Sequence, residues 1–220
     1  MKRDALAAML DHSVLKPEAT ATDISAGAGV VRDWRIGFYC VQPCWVGLAA
    51  RSLHGTSARV VAVVGFPHGC DVPEVKARAA ASAVRDGAQE IDMVMNVGEL
   101  KSRRTSAVQA DIEAVVGAVK GTPVKVILET AVLTEAEKSR ACELVRRAGA
   151  TFVKTSTGFH PAGGATIEDV RLLRRAVGAE FGVKASGGIR TLSDARAMID
   201  AGANRIGTSS SAAILASAEP

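Results

Sequence analysis

The stretches TFVKTSTGF (residues 151–159) and FGVKASGGIR (residues 181–190) show the same pattern twice. In each stretch, a short apolar run typical of a buried strand ends at a lysine, which small hydroxyl-bearing residues and glycine follow. One such lysine would most simply be a surface residue at the end of a strand. Because the context recurs, we expect Lys154 and Lys184 to lie at the ends of two neighbouring strands of one sheet.

The alternation of short β-like runs with longer helical patterns extends outward from these stretches over the chain. Thr or Ser followed within two residues by an acid predicts helix N-caps at Thr22, Thr134, Thr166 and Ser193. We expect eight strands, at residues 12–15, 37–41, 59–64, 90–95, 124–128, 151–154, 182–185 and 205–208. We expect helices at residues 24–34, 44–53, 72–86, 106–120, 135–148, 167–177 and 192–201.

This alternation indicates an α/β fold with a parallel sheet, in one domain over residues 1–220. Two arrangements of the sheet are possible, an open doubly wound sheet and a closed barrel. An open doubly wound sheet would usually place a glycine-rich dinucleotide loop after its first strand, and DHSVLKPEAT (residues 11–20) contains none. Polar residues gather instead at the carboxyl ends of most strands, where a barrel builds its site. We therefore predict a single (β/α)8 TIM barrel.

The composition limits the kinds of partner. The net charge is only +4, the basic residues are dispersed, and the chain has one Tyr and two Trp, which argues against a nucleic-acid groove and favours a small anionic molecule. We expect no membrane partner, because no apolar run approaches the roughly twenty residues of a bilayer span and the first residues lack a signal-peptide core. The four cysteines form no CxxC pair, which favours the cytoplasm.

Paired lysines suggest a particular chemistry. Two ammonium groups held together in a partly apolar pocket disfavour each other's protonation, so Lys184 would keep Lys154 as a neutral amine that can attack a carbonyl. Asp92 lies between apolar residues of the fourth strand, and a buried carboxylate must be paired. It could form a purely structural salt bridge, but a charge network with both lysines explains it better. Lys125 and Glu129 share one face of the fifth strand, and one of them could balance the lysine pair.

Glycine and hydroxyl-bearing residues after the last three strands predict an anion site. In a barrel, the final two loops commonly bind phosphate through backbone N–H groups. Arg190 could add charge there or could cap the following helix. Cys40 ends an apolar run and could face the site, and the scattered histidines predict no metal site. The residues expected to contact the substrate phosphate are Thr157, Gly187, Gly188, Gly207, Ser209 and Ser210.

Six motifs together resemble one known family. The series DHSVLKP, EIDMVMNVG, VKVILET, FVKTSTGF, VKASGGIRT and RIGTSSS is similar, in order from about residue 10 to residue 212, to that of deoxyribose-phosphate aldolases. The resemblance implies a (β/α)8 barrel and a class I aldolase that needs neither metal nor cofactor. Such an enzyme cleaves 2-deoxy-D-ribose 5-phosphate reversibly into acetaldehyde and D-glyceraldehyde 3-phosphate. Its partners would be phosphosugar and aldehyde substrates.

The resemblance also implies roles for individual residues. Lys154 would form the Schiff base, Lys184 would keep it unprotonated and join in proton transfer, and Asp92 would be the other proton-transfer group. Cys40 matches a cysteine near the substrate pocket, and Gln42 stands where the family pattern leads us to expect asparagine. Phosphate-binding positions are matched by Gly187, Gly188, Ser209 and Ser210.

Two other interpretations of the function stay open, and so does the oligomeric state. A different phosphosugar barrel could use Lys and Asp as acid and base without an imine, although it would not need paired lysines. A regulator that only binds phosphosugars could use a degenerate barrel, although it would be expected to lose one of Lys154, Lys184 or Asp92. Apolar helix faces could also make a homodimer.

Overall fold

Eight parallel strands hydrogen-bond in chain order, and the eighth pairs with the first to close the barrel. A computed structural model describes residues 1–220. The strands are β1 (Leu10–Val14), β2 (Phe38–Val41), β3 (Arg59–Val64), β4 (Glu90–Val94), β5 (Val124–Ile127), β6 (Phe152–Lys154), β7 (Gly182–Ser186) and β8 (Arg205–Thr208). The predicted (β/α)8 barrel is therefore confirmed, and the open sheet is excluded.

Ten α-helices surround or flank the strands. They are α1 (Arg3–Ala7), α2 (Ala21–Asp33), α3 (Val46–Ser52), α4 (Pro73–Arg85), α5 (Val97–Lys101), α6 (Thr105–Ala118), α7 (Glu135–Arg147), α8 (Ile167–Val177), α9 (Leu192–Asp200) and α10 (Ser211–Ala216). Short 3-10 turns lie at Pro43–Trp45 and Thr130–Val132. None of the helices combines the length and the apolar character needed to cross a bilayer.

The element boundaries differ from the prediction in a few places. β1 begins at Leu10, two residues before the predicted start, so Asp11 lies inside the strand. The predicted helix at 44–53 divides into a 3-10 turn and α3. The sequence did not predict α1, α5 or α10, because helices of five or six residues are too short to show a hydrophobic period.

Two of the four predicted N-caps are correct. The side chains of Thr134 and Thr166 accept hydrogen bonds from the backbone N–H groups three residues later. Thr20 and Thr191, not Thr22 and Ser193, cap α2 and α9, and their hydroxyls accept from the N–H groups of Asp23 and Asp194. For α2 and α9 the prediction took the hydroxyl next to the acid, whereas a capping box requires a three-residue spacing.

The apolar core lies between the strands and the helices, where 52 buried residues form one cluster. The barrel interior is different in character. It holds a small apolar cluster of Leu15, Cys40, Val61 and Val63, beside buried ionisable side chains. The strands thus direct most of their aliphatic side chains outward to the helices and their buried charged side chains inward, as the two-residue period of a strand allows.

One buried ion pair lies outside the barrel interior, between α4 and α6. Lys76 is fully buried, and its Nζ donates to Asp111 Oδ2 at 2.6 Å and to the Val94 carbonyl at 3.0 Å. Burial raises the pKa of Asp111, against the opposing effect of Lys76. This pair links two helices to the end of β4.

Candidate active site

The structure brings the three predicted catalytic residues together. Lys154 and Lys184 are register partners on β6 and β7, and both side chains point into the barrel. Their Nζ atoms donate to the same oxygen of Asp92, Oδ2, at 2.9 Å and 2.7 Å. Two nitrogens that share one acceptor at hydrogen-bond distance are close neighbours, so the expected charge network around the lysine pair is present.

Asp92 is fully buried on β4 and contacts a third ammonium group. Lys125 Nζ lies 2.9 Å from Asp92 Oδ1, on the other side of the carboxylate from the first two lysines. Burial alone would raise the pKa of Asp92, but the charges of Lys125, Lys154 and Lys184 hold that pKa well below its ordinary value. Asp92 is therefore ionised at neutral pH.

Lys184 pairs with a second carboxylate, Asp11 on β1. Burial would lower the pKa of Lys184, but attraction to Asp11 and Asp92 outweighs this effect and raises the pKa well above its ordinary value. Lys184 is thus charged at neutral pH in the resting protein, beside Lys154. The sequence reasoning missed Asp11 because it began the first strand at His12. The buried Asp11 Oδ1 has no hydrogen-bond partner.

A second charged tier lies deeper in the barrel. Lys125 Nζ also lies 2.5 Å from Glu90 Oε2, which Arg205 contacts at 3.0 Å. The Arg205 guanidinium stacks 3.1 Å from the centroid of the Phe38 ring, as cation–π pairs do. Burial would raise the pKa of Glu90, but Lys125 and Arg205 lower it below its ordinary value.

Strand β5 and its following turn were expected to balance the lysine pair through Lys125 or Glu129. Lys125 enters the network, but as a further cation. Glu129 instead binds the loop after β6: its carboxylate accepts from Thr157 N at 3.2 Å and from Thr157 Oγ1 at 2.5 Å. Glu129 has a φ of 57°, which is unusual for a residue with a side chain. It therefore shapes the rim of the site.

A pocket opens above Lys154 at the carboxyl ends of the strands. Of the predicted phosphate contacts, all but Ser210 line it; the Ser210 N–H donates to Thr208 Oγ1 at 2.9 Å at the start of α10. The cations Lys16 and Arg190 also line the pocket, and no carboxylate does. The lining residues are Ser13, Leu15, Lys16, Lys154, Thr157, Gly158, Phe159, Ser186, Gly187, Gly188, Ile189, Arg190, Gly207, Thr208 and Ser209. Small side chains and positive charge suit an anion here.

Two glycines of this pocket are required by geometry. Gly187 has a φ of 87°, and a Cβ there would lie 2.9 Å from Gly164 Cα, so the loops after β6 and β7 touch through their backbones. At Gly207, a Cβ would lie 3.0 Å from Lys184 Cε. Gly207 therefore leaves room for the Lys184 side chain as it crosses the barrel interior.

Cys40 lies deeper than the pocket lining. It is fully buried on β2, and burial raises the pKa of its thiol to about 12, so it remains protonated. Its sulfur and the carboxylates of Asp11 and Asp92 offer donor atoms within 4.8 Å of one another. Lysine ammonium groups already occupy both carboxylates, so these residues fit a bound cation poorly. Neighbouring Gln42 donates from Nε2 to the Leu15 carbonyl at 3.0 Å.

Known proteins resemble this chain over almost its whole length. The family model of the DeoC/LacD family aldolases matches residues 3–217. A deoxyribose-phosphate aldolase of Enterococcus faecalis is 50% identical over 211 residues, which is 96% of each chain. One of a Thermoanaerobacter species is 51% identical over 213 residues, 96% of this chain and 95% of that protein. The solved structure of the tetrameric deoxyribose phosphate aldolase of Aeropyrum pernix has a TM-score of 0.91 at 33% identity, and the match covers 98% of this chain and 91% of that one.

Proposed function

The chain belongs to the DeoC/LacD family of aldolases, and we propose that it cleaves 2-deoxy-D-ribose 5-phosphate reversibly into acetaldehyde and D-glyceraldehyde 3-phosphate. The observation that carries this proposal is the sharing of Asp92 Oδ2 by Lys154 and Lys184 directly beneath an anion-suited pocket. That arrangement supplies an amine nucleophile, a neighbouring cation and a carboxylate, which are the groups that imine chemistry needs.

Lys154 is the proposed nucleophile. It alone of the three interior lysines lines the pocket, and its Nζ contacts one carboxylate, whereas Lys125 and Lys184 each contact two. The neutral Lys154 amine adds to the C1 aldehyde of the open-chain sugar, and uptake of one proton with loss of water gives a protonated imine. The imine draws the electron pair of the C2–C3 bond toward C1, so cleavage of that bond leaves an enamine on Lys154.

Proton transfers accompany this cleavage. The C3 hydroxyl proton must leave as the C2–C3 bond breaks, and C2 of the enamine must then gain a proton before water releases acetaldehyde. Asp92 can accept a proton and Lys184 can donate one, directly or through one water molecule. Asp11 keeps Lys184 charged between turnovers, since it provides a second carboxylate for that ammonium.

The pocket above Lys154 is the proposed phosphate site. Backbone groups at Gly187 and Gly188 and the Ser209 residue after β8 line it. The phosphate takes no part in bond cleavage, so its binding energy can hold C1 of the sugar against the amine.

The test is a cleavage assay with a matched pair of variants. Wild-type protein incubated with 2-deoxy-D-ribose 5-phosphate should yield equal amounts of acetaldehyde and D-glyceraldehyde 3-phosphate. Lys154→Leu should lower kcat by at least about 10⁴-fold, because it removes the covalent step. Lys120→Leu, at an exposed position after α6, should leave kcat unchanged. Full cleavage activity in Lys154→Leu would contradict the proposal.

Compartment and assembly belong to the proposal as well. We assign the reaction to the cytoplasm, because all four cysteines are free thiols, the form that a reducing compartment maintains.

We also propose that the protein forms a homo-oligomer. The apolar helix faces in the sequence led us to expect a homodimer. The relative from Aeropyrum pernix is tetrameric. Light scattering in solution distinguishes a dimer from a tetramer or a monomer.

A further inference from the structure

Lys125 is a buried ammonium group to which the proposed reaction assigns no step. Its side chain is fully buried on β5, and its Nζ bridges Asp92 Oδ1 at 2.9 Å and Glu90 Oε2 at 2.5 Å. Lysine is almost never fully buried unless it is paired. Two carboxylates on one ammonium hold it in a single position, so Lys125 rigidly connects the proposed catalytic carboxylate to the deeper charged tier.

The contacts of Asp92 divide between its two oxygens. Oδ1 faces Lys125, whereas Oδ2 faces Lys154 and Lys184. An aspartate carboxylate rotates readily about its last torsion. The ion pair at Oδ1 restrains that rotation and directs Oδ2 toward the two lysines of the active site.

The interior network carries one positive charge in excess when all its members are ionised. Burial makes uncompensated charge costly, so loss of one proton would bring the network to neutrality. Arg205 cannot supply that proton, and Lys125 and Lys184 each contact two carboxylates. Lys154 contacts only one. The four cations are Lys125, Lys154, Lys184 and Arg205, and the three carboxylates are those of Asp11, Glu90 and Asp92.

We propose that Lys125 is a positioning residue of the aldolase site, which orients Asp92 and adds a buried positive charge beneath Lys154. The inference rests on the proposed imine chemistry and adds to it. Two ammonium groups then favour a neutral Lys154. Lys184 shares Asp92 Oδ2 with it, and Lys125 binds the other oxygen of the same carboxylate.

Four other ionisable groups lie near the network. Lys16 and Arg190 line the pocket with Lys154, but both are exposed, so solvent screens their charges. The Cys40 thiol on β2 stays neutral, since burial raises its pKa to about 12. Arg59 on β3 lies 3.6 Å from Glu90 Oε1, but 55% of its side chain is exposed, so solvent screens its charge. The centroid of the Phe152 ring lies 5.8 Å from Lys125 Nζ.

The experiment measures imine formation against pH. Protein is incubated with acetaldehyde and cyanoborohydride between pH 5 and pH 9.5, and the reduced adduct on Lys154 is quantified by peptide mass spectrometry. In Lys125→Met the pH midpoint of trapping should rise by about one unit or more, because a unit charge within about 6 Å at an effective dielectric near 20 is worth on the order of two units. Trapping at pH 7 should fall about tenfold or more and recover in alkali.

Lys76→Met is the matched control. It also removes a fully buried ammonium paired with a carboxylate, but between α4 and α6. Its trapping midpoint should equal that of the wild type, measured where circular dichroism shows both variants folded. Lys125→Arg should restore most of the trapping at pH 7, because it keeps the positive charge.

Three outcomes overturn the inference. If Lys125→Met is folded and its trapping curve coincides with that of the wild type, Lys125 has no such role. If Lys125→Met does not fold, Glu90→Gln is compared with the double variant Glu90→Gln/Lys125→Met, which removes both members of the ion pair. Equal trapping midpoints in these two variants would also show that Lys125 has no such role. A wild type that forms no adduct on Lys154 would overturn the proposed function together with this inference, whereas normal trapping with an unshifted midpoint overturns the inference alone.

Discussion

Lys154 and Lys184 occupy the same pattern in the sequence, yet their surroundings give them different chemistry. Both donate to Asp92 Oδ2. Lys184 is fully buried and also pairs with Asp11, whereas Lys154 faces the pocket and is 2% exposed. The sequence identified both lysines because an apolar strand that ends at a lysine and is followed by glycine can be recognised from adjacent residues. It did not distinguish their partners, since Asp11 lies far away in the chain.

Replacement of Lys184 tests this difference. In Lys184→Leu, borohydride trapping of acetaldehyde on Lys154 should be much weaker at neutral pH and should partly recover in alkali, because a neighbouring cation is lost. We expect kcat for cleavage to fall by about 10²–10⁴-fold, the range for removal of one proton-transfer group. Trapping at pH 7 equal to that of the wild type would contradict the assigned role.

At the scale of elements, the loops after β6, β7 and β8 form the proposed phosphate site. The sequence predicted residues that the structure brings to one pocket, because glycine and hydroxyl residues after buried strands are a local signal. It did not predict how the loops support one another. Glu129, from the turn after β5, binds Thr157 in the loop after β6, and the carbonyl groups of Ser186 and Gly187 accept from Ala165 N. Such contacts depend on side-chain direction across loops, which no local period encodes.

The contact between these loops predicts the effect of a single methyl group. Gly187→Ala should destabilise the protein by about 1–3 kcal/mol, because the residue is held at positive φ and its Cβ would meet Gly164 Cα at 2.9 Å. KM for the phosphosugar should rise as well. Gly117→Ala is the control: it lies inside α6 with open space around a Cβ, so it should stabilise by roughly 0.5–1 kcal/mol. Urea denaturation measures both, and equal stability changes would contradict this account.

At the scale of the whole molecule, the barrel and its strand order followed from the alternation of strands and helices. The deeper tier of Glu90, Lys125 and Arg205 did not follow from it. Which charges meet inside a barrel depends on the stagger between strands, and that stagger is a property of the closed sheet. From the sequence, Lys125 could therefore be recognised only as a residue that might balance the lysine pair. In the structure it is the third ammonium group that contacts Asp92.

Barrel closure also involves a histidine that should make stability depend on pH. His12 on β1 is buried, and its Nδ1 lies 3.1 Å from Ser211 Oγ at the start of α10. Burial lowers the pKa of His12 below its ordinary value, with a smaller opposing effect of Asp11. The folded state therefore favours the neutral ring, so its contribution to stability is present above about pH 6.5 and is lost as the pH falls below that value.

The difference in unfolding free energy between wild type and His12→Gln isolates this contribution. It should decrease as the pH falls from 7 to 5, with a slope of at most about 1.4 kcal/mol per pH unit. Urea denaturation at several pH values measures it, and subtraction removes the effects of other titrating groups. A difference that stays constant from pH 7 to pH 5 would show that His12 titrates alike in the folded and unfolded states.

The most direct test of the whole account is to find the residue that carries the imine. Wild-type protein is treated with acetaldehyde and borohydride at neutral pH, digested, and examined by mass spectrometry alongside a cleavage assay. We predict a two-carbon addition on Lys154 and loss of cleavage activity in proportion to the adduct. An unmodified Lys154 in a protein that still cleaves 2-deoxy-D-ribose 5-phosphate would contradict the account.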